Sequence, residues 1–205
     1  DWGSGSFIDM EKKFDVKETN IKNIIKKGPD LVTFSGDKLI GGPQSGLIVG
    51  KKRWINLLKK NTLYRTLRCN KIVIALLEET FRTYSAKSFK NDNLSLMLFS
   101  KTRRDLKKKG ETILSKIKKK QIEKYNIHLV ETFVEAGSGS SPEQKLESMA
   151  LSFQSSVIGV TKIARNFRMS FVPVIGYISG DIFFIDMKAL LPRQSSTLVK
   201  IINKL

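Results

Sequence analysis

Apolar and polar positions divide the chain into short runs with two different periods. Residues 21–27 have the spacing of a short helix, closed by Lys27-Gly28-Pro29-Asp30. Residues 31–34 are an apolar run of strand type, and Gly46-Leu47-Ile48-Val49-Gly50 predicts a second buried strand. Between them, residues 35–43 carry too much Gly and Pro for a helix or a regular strand. Residues 51–58 predict a helix with Trp54, Leu57 and Leu58 on one face. Residues 70–84 predict a stronger one, with a near-continuous apolar surface of Ile72, Val73, Leu76, Leu77 and Phe81. Strand, loop, strand and helix in that order point to α/β architecture.

The pattern changes across residues 85–92. Asp92 is a candidate N-cap for a short helix running through Leu98. Residues 102–124 predict one long, basic helix, and 127–134 alternate as a strand does. Gly137-Ser138-Gly139-Ser140-Ser141-Pro142 reads as a flexible loop. A strand at 149–153, a helix at 156–167 and a closing helix at 195–204 follow the same rules. Between the last two, strands at 174–178 and 181–185 form a hairpin turning at Ser179-Gly180. The expected organisation is the end of a larger α/β domain at 1–88 and a small α+β domain at 89–205. No internal repeat is visible. Asp1-Trp2-Gly3-Ser4-Gly5-Ser6 reads as a loop leaving a strand upstream, so the chain is expected to lack an N-terminal part.

Composition narrows the chemistry. Forty per cent of the 205 residues are apolar, enough for a buried core, which argues against disorder. No apolar run approaches a membrane span. A single cysteine, Cys69, excludes an internal disulfide. A single histidine, His128, leaves no cluster for zinc. Cys69 reads as a buried inert thiol, and His128 as structural or solvated. Thirty-seven Lys and Arg against 19 Asp and Glu give a net charge of +18, which suits a polyanionic partner.

The densest chemical signal is Ser35-Gly36-Asp37-Lys38-Leu39-Ile40-Gly41-Gly42-Pro43-Gln44. A lysine directly after a buried strand sits where water is scarce, which favours the neutral, nucleophilic amine. Gly36, Gly41 and Gly42 allow a positive φ or close approach to a flat ligand. Ser35 is near enough to share a ligand such as a phosphate with Lys38. A carbonyl cofactor held by a lysine needs this setting, and pyridoxal phosphate (PLP) also needs a carboxylate at its ring nitrogen, for which Asp1 is the candidate. The plainer alternative is an ordinary turn lysine. A Ser-x-x-Lys hydrolase is excluded because its Ser-Asp-Asn and Lys-Thr-Gly partners are missing. A P-loop is excluded because its glycine-lysine motif is missing.

The run Val32-Thr33-Phe34-Ser35-Gly36-Asp37-Lys38-Leu39-Ile40-Gly41-Gly42-Pro43-Gln44-Ser45-Gly46-Leu47-Ile48-Val49-Gly50-Lys51-Lys52 resembles the bacterial selenocysteine synthases, L-seryl-tRNA(Sec) selenium transferases. The resemblance continues in Asp1 to Ser6, Tyr64-Arg65-Thr66-Leu67-Arg68, Gly137-Ser138-Gly139-Ser140 and Pro173-Val174-Ile175-Gly176. It implies a PLP-dependent transferase superfold, aspartate aminotransferase-like, of which the N-terminal half is absent here. It also implies conversion of seryl-tRNA(Sec) to selenocysteyl-tRNA(Sec) through an aminoacrylyl-tRNA, with selenophosphate as selenium donor. By position, Lys38 resembles the Schiff-base lysine, Asp37 lines the site, and Arg65 and Arg68 match an active-site arginine pair. Superfold analogy gives Asp1 to the pyridine nitrogen. The implied setting is the cytoplasm, with a homo-oligomer built as a ring of dimers. The alternatives are a PLP-dependent lyase acting on a small amino acid, and a basic tRNA-binding remnant without catalysis.

Two groups need the resemblance to acquire a role. Arg65 and Arg68 are three apart, so on a helical turn their forks share one face and suit an oxyanion. From Lys101 to Lys124 there are eleven cations and only Asp105, Glu111 and Glu123 as acids. That face could meet tRNA phosphates, or be solvated while Leu106, Ile113, Leu114 and Ile117 face a core. It has no interleaved aromatic residues for stacking bases.

Overall fold

The computed structural model describes residues 1–14, 16–86, 92–135 and 145–205. The chain forms two compact units, one holding Asp1–Ser100 and Glu135–Lys145 and the other Lys101–Val134 with Leu146–Leu205. The Gly-Ser run expected to be a loop at 137–142, and most of the pattern change at 85–92, lie outside the described residues. The fold is mixed α/β, with a two-stranded and a four-stranded sheet.

In the first unit, β1 (Leu31–Ser35) and β2 (Gly46–Gly50) form an antiparallel ribbon in which Leu31 faces Gly50 and Ser35 faces Gly46. Alternation sets the buried face: Val32 and Phe34 turn inward and join Ile21 and Ile40 in a small core. Phe7 packs its ring at 5.2 Å from Phe81 and 5.6 Å from Tyr84. Six helices are described in this unit: α1 (Met10–Phe14), α2 (Ile21–Lys26), α3 (Lys52–Lys60), α4 (Thr62–Leu67), α5 (Lys71–Ser85) and α6 (Leu94–Phe99). Asparagines start four of them. The side chains of Asn20, Asn61, Asn70 and Asn93 accept from backbone N–H groups of α2, α4, α5 and α6 that have no partner within the helix. The cap of α6 is therefore Asn93 and not Asp92. The strong apolar surface expected on α5 is real but mostly wet: Leu77 is its only buried residue, and Leu57 of α3 is exposed as well.

In the second unit, the sheet order is β3 (His128–Glu135), β4 (Lys145–Phe153), β6 (Ile182–Asp186) and β5 (Tyr177–Ser179). Strands β4 and β5 each pair antiparallel to β6. Phe153, Phe167 and Phe183 form an aromatic centre with ring centroids 4.9 to 6.1 Å apart. Leu106 and Ile113 of α7 (Arg103–Leu114), Ile163 of α9 (Val160–Arg168) and Leu198 of α10 (Ser195–Ile202) close over it.

Three expectations fail locally in this unit. The long basic helix is two helices, α7 and α8 (Lys119–Lys124), because the side chain of Asn203 takes over the backbone between them. Its Oδ1 accepts from Lys118 N at 2.7 Å and its Nδ2 donates to Lys116 O at 3.0 Å. The helix expected from 156 starts at Val160, since Gly159 is extended at the N-cap. The hairpin turns at Gly180-Asp181, because Ser179 pairs with Ile182. Gly180 takes φ +58°, which a two-residue turn asks of its first position. No helix among the described residues is long and apolar enough to cross a membrane.

Candidate active site

The segment Asp1 to Ser4 is laid along β1 by its backbone. Trp2 N donates to Thr33 O at 2.8 Å, and Ser35 N donates to Gly3 O at 3.0 Å. After the strand, Leu39 N donates back to Ser4 O at 3.2 Å. Thr33 Oγ1 donates to Asp1 Oδ1 at 2.7 Å, so the exposed carboxylate is tethered to the strand that leads to the lysine. Lys38 is half-buried, and a Cβ built on Gly3 would stand 4.0 Å from its Nζ. The amine thus comes down beside the bare α-carbon of Gly3. Ser35 is half-buried and Asp37 is exposed.

The glycines of this loop close the loop on itself. Gly36 N donates to Ser45 O at 2.9 Å, Gly42 N to Gly36 O at 2.8 Å, and Gly41 N to Lys38 O at 2.9 Å. Gly41 has φ +74°, and a Cβ there would lie 2.8 Å from Asn93 Oδ1. A side chain at Gly36 would collide with the hydroxyl of Ser45.

Two residues that sequence reasoning did not connect to the site hold the turn from outside. Ile40 is fully buried, and its carbonyl accepts from Asn93 Nδ2 at 2.8 Å and from the Tyr84 hydroxyl at 2.9 Å. Tyr84 also reaches Leu39 O at 3.3 Å. Burial pushes the Tyr84 phenol up, well above its ordinary value. These partners lie 44 and 53 residues from Ile40 in sequence. The only local hint was the candidate cap at Asp92, one residue from Asn93.

Arg65 and Arg68 stand on another element. Arg65 is in the last turn of α4, while Arg68 is its C-cap in extended conformation, so the spacing is not one continuous helical turn. Both are exposed, and no hydrogen bond or ion pair ties them to the Lys38 loop among the described residues. Cys69 is a half-buried free thiol. In the second unit, His128 is exposed, with Nε2 2.9 Å from Asn126 Oδ1.

The basic segment divides into cations committed to the fold and cations left in solvent. Arg103 forks to Glu131 at 3.0 Å and Glu147 at 2.8 Å. Lys101 Nζ donates to Lys188 O at 2.9 Å, and Lys188 Nζ returns the bond to Lys101 O at 3.0 Å. Lys109 Nζ donates to the carbonyls of Leu190 and Met187. Desolvation pulls all three ammonium groups down, Lys109 to about 8. Lys107, Lys108, Lys116, Lys118, Lys119 and Lys120 are exposed. A cleft of about 550 Å³ in this unit, lined by Val174, Ile175, Asp186, Leu190, Arg193 and Leu198 among others, contains none of the expected site residues.

Comparison with known proteins ties these features together. The family model described as L-seryl-tRNA selenium transferase matches residues 1–191, across both units. L-seryl-tRNA(Sec) selenium transferase of Clostridium botulinum is 33% identical over 205 residues, which is 100% of this chain and 44% of that protein. The Shewanella oneidensis protein of the same name is 37% identical over 193 residues, or 93% of this chain and 41% of its own length. That of Desulfotalea psychrophila is 34% identical over 191 residues, with coverages of 93% and 41%. A solved structure of Plasmodium falciparum ornithine delta-aminotransferase is similar at a TM-score of 0.33 and 15% identity, over 91% of this chain and 42% of that one, and adds nothing to the architecture described above. The chain spans less than half the length of the curated relatives it matches. With the family model running from the tethered Asp1 through the Lys38 loop to the end of the second sheet, the chain belongs to the L-seryl-tRNA selenium transferase family.

Proposed function

We propose that this chain is the lysine-bearing portion of a PLP-dependent selenium transferase of the aspartate aminotransferase superfold. It would convert seryl-tRNA(Sec) to selenocysteyl-tRNA(Sec) in the cytoplasm, with selenophosphate as donor. The observation that carries the reading is the Lys38 turn: a half-buried amine on a closed loop, beside Gly3 and just after the strand that tethers Asp1. These residues fit PLP in kind, with an amine for its aldehyde carbon, a carboxylate for its ring nitrogen and a Ser35 hydroxyl for its phosphate. When bound, PLP supplies a sink for the electron pair left when the α-carbon loses its proton.

The chain's own groups do the rest. Lys38 Nζ is the base that takes the serine α-proton. Asp1 would hold the ring nitrogen of the cofactor, and Asp37 would line the mouth of the site. Arg65 and Arg68 grip selenophosphate, whose oxygens match planar guanidinium forks as they would not match a lysine. Over the whole reaction the serine β-carbon exchanges its C–O bond for a C–Se bond, and phosphate is the second product. The exposed lysines at 107–108 and 116–120 support a polyanionic partner such as tRNA. The wet apolar side chains of α4 and α5 support a homo-oligomer.

The test is borohydride reduction of the PLP-loaded protein, expressed from its complete reading frame, followed by peptide mapping. The label is expected on Lys38, and Lys38→Ala is expected to abolish selenocysteyl-tRNA formation. A label on another lysine overturns the assignment. Turnover of free serine with no dependence on tRNA would favour the lyase instead, and failure to bind PLP while binding tRNA would favour the remnant.

A further inference from the structure

We propose that Tyr84 and Asn93 are positioning residues for Lys38, acting together as a two-donor clamp on the carbonyl of Ile40. The inference rests on the reading of Lys38 as the cofactor lysine. The carbonyl of a turn residue ordinarily takes one hydrogen bond or a water molecule. Here a buried carbonyl, two residues beyond the lysine, takes a phenol O–H from the end of α5 and an amide N–H from the cap of α6. Both lone pairs of the oxygen are satisfied by protein.

Each donor is itself fixed. Asn93 is buried, and its Oδ1 accepts from Leu96 N at 3.1 Å, so the amide cannot flip without losing the cap of α6. The left-handed Gly41 backs directly onto that side chain. Tyr84 packs its ring on Phe7, and burial keeps its hydroxyl protonated and donating across the working pH range. Inside the turn, Gly41 N closes on Lys38 O, and Leu39 N ties back to Ser4 O. Lys38 is therefore framed on one side by the segment that carries Asp1 and Gly3, and on the other by two helices. Side chains that must hold one geometry for chemistry are fixed in this way by neighbours that never touch the reacting atoms.

The clamp is tested with Tyr84→Phe and Asn93→Asp. The first removes only a hydroxyl, while the second keeps the helix cap and loses the donor. Asn61→Ala, which uncaps α4 in the same unit, is the control for general loosening. Two readouts are followed. Competitive acetylation compares Lys38 with exposed Lys59 and needs no cofactor. Induced circular dichroism of added PLP reports whether the bound ring has one orientation. Both clamp variants are expected to raise the Lys38-to-Lys59 labelling ratio about fivefold, the factor that one neutral hydrogen bond commands. They are also expected to weaken the dichroism, whereas Asn61→Ala changes neither. An unchanged labelling ratio in both folded clamp variants overturns the clamp, as does an equal change in Asn61→Ala. PLP trapped on a different lysine in the unaltered protein would instead overturn the cofactor assignment, with the acetylation result still deciding the clamp.

Discussion

Helices α5 and α9 are both amphipathic, yet they dispose of their apolar side chains differently. Nine-residue α9 buries Ile163, Ala164 and Phe167 against a sheet and two further helices of its own unit. Fifteen-residue α5 buries only Leu77, while Ile72, Ile74 and Leu76 stay in solvent. Among the described residues, the second unit closes a core of seventeen buried residues around its aromatic centre, whereas the first buries nine apolar side chains, four of them clustered around Phe34. An amphipathic pattern thus identifies a helix and a face, but not what covers the face. The first unit spends its packing on the Lys38 loop and leaves the outer sides of α4 and α5 open.

The largest effect that follows is on the closed core. Phe167 is fully buried and stacks on Phe183 at 5.2 Å, so Phe167→Ala loses both transfer energy and packing. It is expected to cost about 3–5 kcal/mol in urea-induced unfolding, the scale for an aromatic removed from a core. A cost below about 1 kcal/mol, the middle of the range for point substitutions generally, would show that this core is looser than its burial implies and would dissolve the contrast.

What was legible in the sequence divides along the same line. Elements fixed by local chemistry read well: the apolar strand run of 31–34, the glycine-rich turn with Lys38, and the helix from residue 70. The family motifs around Lys38, Arg65 and Arg68 were also legible, because they are strings. The departures come from long-range side chains. Asn203 breaks the basic helix from 85 residues away, and nothing between Leu114 and Lys119 announces it. The clamp on Ile40 takes its donors from 44 and 53 residues away, so the loop could be recognised while its support could not. The helical spacing of Arg65 and Arg68 was sound as arithmetic. It fails because α4 ends between them, where Arg68 turns extended.

A smaller effect separates the two units by pH. Lys109 sits under the Met187–Leu190 carbonyls of the second unit, and desolvation holds it near 8 against an ordinary 10.5. Lys101 and Lys188 are displaced in the same direction. Between those values the unfolded chain binds more protons than the folded one, so this contribution makes stability rise with pH from about 8 to 10. Tyr177 and Tyr84 are pushed up and work oppositely above that window, where the folded chain binds more protons. Lys109→Met is therefore expected to flatten the rise in urea midpoint between pH 8 and 10, and Lys59→Met on exposed α3 to leave it. A midpoint that changes identically across this window in Lys109→Met, or that falls in the unaltered protein and less steeply in Lys109→Met, would contradict the sign.

The smallest effect is expected on the open face, and it is the sharpest check of the comparison. Leu67 and Ile72 are 78% and 71% exposed. Replacing either by serine removes almost no buried area, so the hydrophobic term that dominates Phe167→Ala is nearly absent. Helix propensity changes little between isoleucine and serine at the start of α5. At concentrations where the chain is a monomer, Leu67→Ser and Ile72→Ser are each expected to shift unfolding by less than about 0.5 kcal/mol, as surface substitutions do. Both should also be measured across a dilution series. A cost of about 2 kcal/mol that fades on dilution would mean that these side chains are covered in solution by a second copy, because only an association equilibrium makes stability depend on concentration. A cost of the same size that is independent of concentration would mean that α4 and α5 are packed within the chain. The contrast between an open first unit and a closed second one would then fail at its most exposed residues.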